Sequence, residues 1–195
     1  MKKTTNHSKN KKNISILLVV FSFGLVGYMS SVNFANAAVD SETQKAASRF
    51  GAATVTEINF SKESGDLSED AKKELQQVLT EAGKKGTIKE VRVAAWADQE
   101  YPPKGVDLAG SQVDLAEKRA GSVQLYLEKS LNVASVSTLN MAERPSRVQD
   151  LLKTKAAKTK NTLENTGAAP TDSDHTGLFG LKGKASQAVI MIYNK

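Results

Sequence analysis

The amino-acid sequence predicts an α/β (α+β) domain, built as a two-layer sandwich of one sheet and its helices. Two observations lead to this class. Segments whose apolar residues repeat at every second position alternate along the chain with segments whose apolar residues repeat at every third or fourth position, as strands and amphipathic helices do. The resulting order is β-α-β-α-β-(α)-β, which favours a sheet covered by helices on one face. This order leaves parallel and antiparallel pairings open.

The first strand and the first helix follow a short polar segment. Residues 38–53 are polar and small and are interpreted as a leader, with a short helix around Glu42 to Arg49 as an option. Side chains of residues 54–60 then alternate between two faces, which predicts a strand. Ser68 fits a helix N-cap followed by acidic residues. Apolar residues recur at helical spacing until Gly83 or Gly86, which predicts about four turns of helix.

The second strand and helix enclose a loop rich in turn residues. Residues 88–97 are rich in Val and Ala and predict a largely buried strand that ends at Asp98. A loop with two prolines and two glycines follows. The second helix is predicted to start near Ser111, and Arg119 lies at the border of its apolar stripe. That stripe keeps a 3-4-3-4 spacing and comprises Val113, Ala116, Ala120, Val123 and Leu127.

The remaining chain completes the domain. Residues 133–141 predict a weak third strand, and residues 188–193 predict a short apolar terminal strand. Between them, residues 144–167 are helical in pattern, carry lysines and form an insertion. The predicted organisation is therefore a domain over residues 54–195 with a helical insertion at about 144–167.

The first 37 residues have the pattern of a secretory signal peptide. Five lysines and no acid precede an apolar run of 16 residues, and Ala35-Asn36-Ala37 supplies a small-residue cleavage signal. The run is slightly shorter than the roughly 18 residues of a spanning helix. Cleavage after Ala37 is the expectation, with an uncleaved N-terminal anchor as the alternative. The protein is therefore expected in the periplasm or in association with the outer membrane.

Composition excludes several classes of partner. Five of the 27 basic residues and none of the 21 acidic residues lie before residue 38, which leaves 22 basic and 21 acidic groups, a net charge near +1. The basic charge of the whole chain therefore belongs to the targeting segment and does not indicate nucleic-acid binding.

The sequence has no cysteine, so neither a disulfide nor an acylated cysteine anchor is expected. No later segment is long and apolar enough to predict a transmembrane helix.

The sequence gives no support for an enzyme or a cofactor. Ser173, Asp174 and His175 are adjacent in a polar loop, whereas a catalytic triad brings its members together from separate elements. With one histidine after residue 37 and no cysteine, a transition-metal site is not expected. A hydrolase of wall components would need a convergent pair of acids, which the sequence does not place.

The strongest candidate site combines Asp98 and Arg119. An acid at the end of a strand and an arginine on the next helix could face one another across a shallow groove. Arginine offers a planar fork to a carboxylate and aspartate accepts from an ammonium group, so the pair could hold a ligand with both groups. The alternatives are a structural ion pair or two independent solvated side chains.

Two further features have ordinary interpretations beside their functional ones. Trp96 could stack on a sugar or ligand ring, or pack in the core as buried-strand tryptophans usually do. Four lysines of the insertion could contact an anionic polymer, or form a solvated helix face; they are Lys153, Lys155, Lys158 and Lys160.

Four separated strings between about Val55 and Leu139 resemble the OmpA C-terminal-like family, and the terminal strand completes the similarity. Phe60 precedes a Leu-Ser-x-x-Ala helix start at Leu67, and a strand ends in Asp98. The family's Asn-x-x-Leu-Ser-x-x-Arg-Ala string is matched by Gln112, Leu115, Ala116, Arg119 and Ala120, and Val123 and Tyr126-Leu127 follow.

The resemblance implies non-covalent binding of peptidoglycan at the diaminopimelate residue of its stem peptide. Asp98 and Arg119 take the positions of the family's main ligand groups, and Gln112 replaces its Asn. Leu115, Ala116 and Trp96 are the neighbouring positions carried over to the expected site. The chain departs from the family in having Trp96-Ala97 for His-Thr, Ala116 for Ser, Ser186-Gln187-Ala188 for Asn-Arg-Arg, and a longer loop after Asp98.

The expected function is therefore peptidoglycan binding by an exported protein of a double-membrane bacterium. The alternative is an OmpA-like scaffold that no longer binds peptidoglycan and instead contacts an envelope protein. Its contact surfaces would be the proline-containing loop after Asp98 and the inserted segment 144–167. Competition by free diaminopimelate would discriminate between the two functions.

Overall fold

The central sheet of the protein has a mixed strand arrangement. The computed structural model describes Met1, residues 39–175 and residues 183–195, so the predicted signal peptide and its cleavage site lie outside the described residues. Within this part of the chain, the strands are β1 (Thr54–Asn59), β2 (Ile88–Ala95), β3 (Val136–Asn140) and β4 (Gln187–Asn194). They lie in the order β1-β4-β2-β3. β4 pairs antiparallel with β1 and β2, and β2 pairs parallel with β3.

Two helices cover one face of the sheet. They are α2 (Glu69–Lys85), whose N-cap is Ser68 as predicted, and α3 (Gly110–Lys129). Alternate residues of β2 and β4 meet the apolar stripes of both helices in one hydrophobic cluster; these strand residues are Val91, Val93, Ala95, Ala188, Ile190 and Ile192. The predicted α/β class, the element order and the helical layer are therefore confirmed.

The opposite face of the sheet is also covered, which adds a layer to the predicted sandwich. Here α1 (Ser41–Arg49) and α5 (Lys155–Asn165) pack over the other set of β2 and β4 side chains, which includes Val189 and Met191. The physical reason is that residues 188–193 are all apolar and buried, so β4 needs cover on both faces.

The segment interpreted as a polar leader is packed into this second layer. Ala46 and Ala47 of α1 are buried against the sheet. Asp40 caps the helix by accepting from the Thr43 N–H at 2.8 Å, and it also forms an ion pair with Lys184 in the segment before β4. The described fold therefore begins at least 14 residues before β1, because these contacts start at Asp40.

The predicted helical insertion consists of two helices. A short helix, α4 (Arg147–Leu151), precedes α5, and a turn with Lys153 at a φ of 48° separates them. Ser146 caps α4 in a capping box with Gln149. None of the helices in residues 39–175 and 183–195 has the length and apolar character needed to cross a membrane.

Candidate functional site

The fold brings Asp98 and Arg119 into direct contact. Asp98 follows β2 after two further residues, and α3 packs back against β2 so that Arg119 points toward the end of that strand. The Arg119 Nη2 atom lies 2.6 Å from the Asp98 Oδ1 atom. The two residues are 21 positions apart in sequence, so the predicted juxtaposition is a tertiary contact.

The Arg119 guanidinium is enclosed by protein acceptors. Its side chain is 0 % exposed. Besides Asp98, it donates to the backbone carbonyls of Ser64 (from Nε, 2.8 Å), Trp96 (from Nη1, 2.9 Å) and Ser61 (from Nη2, 3.0 Å). The ring of Phe60 lies 5.3 Å from the guanidinium carbon. Arg119 thereby ties the loop between β1 and α2 to the end of β2, and the predicted shallow groove is closed at this residue.

Asp98 is held in its charged form by several donors. Its Oδ1 accepts from the Ser186 hydroxyl at 2.7 Å as well as from Arg119, and its Oδ2 accepts from the Glu63 N–H at 2.7 Å. Burial alone would raise the pKa of Asp98, but the hydrogen bonds from Ser186, Arg119 and Glu63 together lower it below its usual value. Asp98 is therefore the centre of a network that joins three loops and α3.

Gln112 also belongs to this network. Its Oε1 accepts from the Asp98 N–H at 3.0 Å, so the amide at the position of the family's Asn supports the backbone of the aspartate. Ala116 is buried and Leu115 is half-buried, and both pack in a small cluster with Ala97 and Ala142. These two residues shape the apolar wall beside the pair and offer no polar group from their side chains.

Trp96 does not line a surface site. Its side chain is fully buried on the second face of the sheet, packed among residues that include Tyr101 and Met141. Because the ring has no exposed surface, it cannot stack on a sugar, and the core alternative holds. The residue contributes its backbone carbonyl, which accepts from Arg119.

The lysines of the insertion divide into two groups. Lys153, Lys155 and Lys158 are exposed, as expected for a solvated helix face. Lys160 is buried, and its ammonium donates to the Glu143 carbonyl at 2.7 Å. Burial lowers the pKa of Lys160 to about 8 because the charged form loses its hydration. Lys160 is therefore unavailable to an anionic polymer.

Other chemistry-bearing residues in the described ranges have local roles. Asp174 accepts from the N–H and the hydroxyl of Thr171, at 2.9 and 2.7 Å, and so fixes the turn before a short 3-10 helix (Asp172–His175). No group of three or more His, Cys, Asp or Glu residues suited to a metal ion occurs within residues 39–175 and 183–195.

Sequence reasoning missed the residues that close the site. Ser186 has a φ of 61°, and its hydroxyl donates to Asp98. The carbonyls of Ser64 and Ser61 accept from the Nε and Nη2 donors of Arg119. The only signal for Ser186 was its place before the terminal strand, where it replaces the family's Asn-Arg-Arg. Backbone carbonyls leave no signal in residue identity, because every residue carries one.

Comparison with known proteins finds similarity among solved structures alone. No family model matches the chain, and no curated protein matches it. Among solved structures, the chain is similar to the OmpA-like domain of FopA1 from Francisella tularensis subsp. tularensis SCHU S4, with 13 % sequence identity and a TM-score of 0.35, over 72 % of this chain and 72 % of that chain. The family resemblance of the sequence motifs and the ligand it implies stay predictions.

Proposed function

We propose that this chain is an exported cell-envelope protein whose domain binds peptidoglycan non-covalently at the Asp98–Arg119 pair. The observation that carries the proposal is the convergence of three motif positions, because Asp98, Arg119 and Gln112 meet in one hydrogen-bonded network despite their separation in sequence. A stem peptide with both an ammonium and a carboxylate group matches the opposite charges of the pair.

Binding at this pair requires a rearrangement of the loop between β1 and α2. The carbonyls of Ser61 and Ser64 occupy donors of Arg119 that a ligand carboxylate would need. This loop is exposed over Ser61–Glu63, and Glu63 has a φ of 59°. Withdrawal of the loop by a few ångströms would free the guanidinium, and a charged ligand would replace neutral acceptors with stronger charge-assisted hydrogen bonds.

The test is co-sedimentation with isolated peptidoglycan sacculi. The described residues 39–175 and 183–195 contain all three described hydrophobic clusters, so the 38–195 chain holds the whole described core. We expect this chain to pellet with sacculi and to be released by free diaminopimelate. Asp98→Asn and Arg119→Lys should each weaken pelleting several-fold or more. Asp98→Asn leaves the ligand ammonium group without its counter-charge, and Arg119→Lys keeps the charge but loses the planar fork that holds a carboxylate through two hydrogen bonds.

A matched control uses another partly buried ion pair of the same sheet. Arg92 and Glu90 are 2.9 Å apart and are less than one fifth exposed, and Arg92→Lys should pellet like the parent. Circular dichroism establishes that each variant is folded. If folded Arg119→Lys and Asp98→Asn pellet as well as the parent, the site assignment is wrong.

A second candidate function is a protein-interaction scaffold, favoured by the enclosure of Arg119. A fully buried arginine with several protein acceptors also serves as a structural brace. Two surfaces remain for a partner, the loop after Asp98 and the insertion. Arg144 connects them, because it donates to the Pro102 carbonyl and pairs with Glu164. A cavity of about 670 Å³ lies between them. A folded parent that stays in the supernatant with sacculi would favour this function.

A further inference from the structure

Helix α4 presents aliphatic side chains to solvent. Val148, Leu151 and Leu152 are 64, 82 and 69 % exposed, more than any other large hydrophobic residue in residues 39–175 and 183–195. Their spacing of three and four positions places them on one side of the helix. The capping box at Ser146 fixes the first turn of α4, so these side chains are displayed by an ordered turn of chain.

A basic cavity adjoins these aliphatic residues. It has a volume of about 530 Å³ and lies between the end of α1, β2 and the two inserted helices. Its lining includes the basic residues Arg92, Lys153, Lys155 and Lys158 and a single acid, Asp150. Lys153 follows Leu152 directly, so the cationic lining and the aliphatic residues are continuous along the chain.

The positive charge of this region is only partly compensated within the described structure, by Asp150 in the cavity lining and by the coulombic interaction of Glu90 with Lys155. Residues 147–158 carry four basic groups and one acid, a net charge of +3. The acid, Asp150, accepts from the Asn161 amide at 3.0 Å. None of the three lysines lies within ion-pair distance of a carboxylate in the described residues, whereas Arg92 is paired with Glu90. The cavity therefore offers free ammonium groups to an anion.

We propose that the α4–α5 corner, defined by Val148, Leu151, Leu152, Lys153, Lys155 and Lys158, docks on the surface of an anionic lipid bilayer. The lysines and the basic cavity contact phosphate headgroups, and the three aliphatic side chains enter the apolar layer below them. This surface is independent of the Asp98–Arg119 pair and goes beyond the proposed function.

A bilayer fits the corner better than a folded protein partner does. The aliphatic side chains project from the surface with high exposure, whereas a protein partner usually meets a hydrophobic patch surrounded by a polar rim. Binding of a protein surface to a membrane strengthens with the apolar area that it buries and with its electrostatic attraction to anionic lipids, and the corner offers both. A lysine side chain can lay its aliphatic stem along apolar surface and keep its ammonium group among the headgroups, so the apolar and the electrostatic contacts can form together. Each lysine should add about fivefold to affinity at low salt.

The test is flotation of the 38–195 chain with vesicles. We expect it to float with phosphatidylglycerol–phosphatidylcholine vesicles at low salt, to bind phosphatidylcholine alone about a hundredfold more weakly, and to be released by high salt. The double variant Leu151→Ser/Leu152→Ser should bind roughly tenfold more weakly. The triple variant Lys153→Glu/Lys155→Glu/Lys158→Glu should lose binding altogether.

Matched controls separate binding through the α4–α5 corner from non-specific binding to vesicles. Leu125 is also 59 % exposed but lies on α3, and Leu125→Ser should bind like the parent. The exposed lysines Lys84, Lys89 and Lys129 lie on other elements, and their triple charge reversal should reduce binding less than that of the corner. Circular dichroism verifies the fold of every variant.

Three results would overturn the proposal. The first is a folded parent that does not float, and the second is a Leu151→Ser/Leu152→Ser variant with parental binding, which would leave only electrostatic attraction. The third is binding to an acidic peptide without binding to vesicles, which would assign the corner to a protein partner. All three are independent of pelleting with sacculi, so failure here leaves the proposed function standing.

Discussion

The Lys184 ammonium donates to the Glu57 carboxylate at 2.5 Å, and both side chains are almost completely buried on the second face of the sheet. Lys184 also pairs with Asp40, the N-cap of α1. One cation thus connects the start of the described fold, β1 and the segment before β4. Burial and this ion pair make the cluster a determinant of stability rather than a surface feature.

Lys184→Ala should destabilise the 38–195 chain by about 3–5 kcal/mol, because it leaves the buried carboxylate of Glu57 and the partly buried carboxylate of Asp40 without their cation. Urea denaturation followed by circular dichroism measures the change. Lys118→Ala is the matched control, since Lys118 and its partner Asp66 are both largely exposed, and it should be near neutral. Equal effects of the two substitutions would mean that the Lys184 cluster contributes little to stability.

Arg119→Met should destabilise the fold and loosen the loop between β1 and α2. The substitution removes hydrogen bonds to Ser61 and Ser64 and leaves Asp98 without its cation, which predicts a loss of about 3–5 kcal/mol. Limited proteolysis should cut residues 61–66 faster in the variant than in the parent. Unchanged cleavage of the loop in a folded Arg119→Met variant would contradict the bracing role of the arginine.

Acid should weaken the parent more than an Asp98→Asn variant. The pKa of Asp98 is lowered in the folded state, so its charged form contributes stability above the ordinary pKa of about 3.9, and this contribution is lost as pH falls through the folded pKa. The difference in unfolding free energy between the two proteins should shrink between about pH 5 and pH 2. A difference that stays constant over this range would refute the assigned network.

Alkaline pH should stabilise the parent relative to a Lys160→Met variant. The folded pKa of Lys160 is about 8, below the unfolded value of about 10.4, so the unfolded chain binds the extra proton between these values. Stability from this group therefore rises as pH increases from about 8 to about 10.4. Thermal unfolding at several pH values measures the effect. The control is Lys158→Met, which changes an exposed neighbour and keeps Lys160, and its stability should follow the same pH dependence as that of the parent.

Arg144→Gln should detach the insertion from the loop after Asp98. Arg144 donates to the Pro102 carbonyl, pairs with Glu164, and lies 4.6 Å from the centre of the Tyr101 ring. Loss of these contacts should increase protease cleavage in residues 102–110 and 144–153 before global unfolding. Hydrogen exchange gives a second measurement, and parental protection of both segments in Arg144→Gln would contradict the prediction.

The sequence predicted the elements well where one local signal decides the structure. Ser68 capped α2 as expected, and the stripe from Val113 to Leu127 became the buried face of α3. The second helical layer was missed, although the unbroken apolar run of β4 contained its signal. A two-sided strand requires a second layer, but α1 and α5 have few large apolar residues and bury mainly alanine, so the sequence pattern does not indicate what they cover.

The candidate site was predicted in part for a related reason. Charge and motif position indicated that Asp98 and Arg119 would meet, and they do. The burial of Arg119 depends on the paths of two loops. Their backbone carbonyls accept from Arg119, and every residue type carries such a carbonyl, so the sequence does not indicate the contact. Lys160 shows the same dependence on tertiary structure. The local sequence around it resembles that around its exposed lysine neighbours, yet its ammonium group is buried.

The position of β4 constrains the time course of folding. This strand is the last in the described chain, yet it lies between β1 and β2. Until it arrives, β1 has no partner and the sheet exists only as the β2–β3 pair. Pairing over such long sequence separations is slow. A chain that cannot complete its sheet before β4 is synthesised stays incompletely folded until then, which suits passage through a membrane translocon in the proposed export.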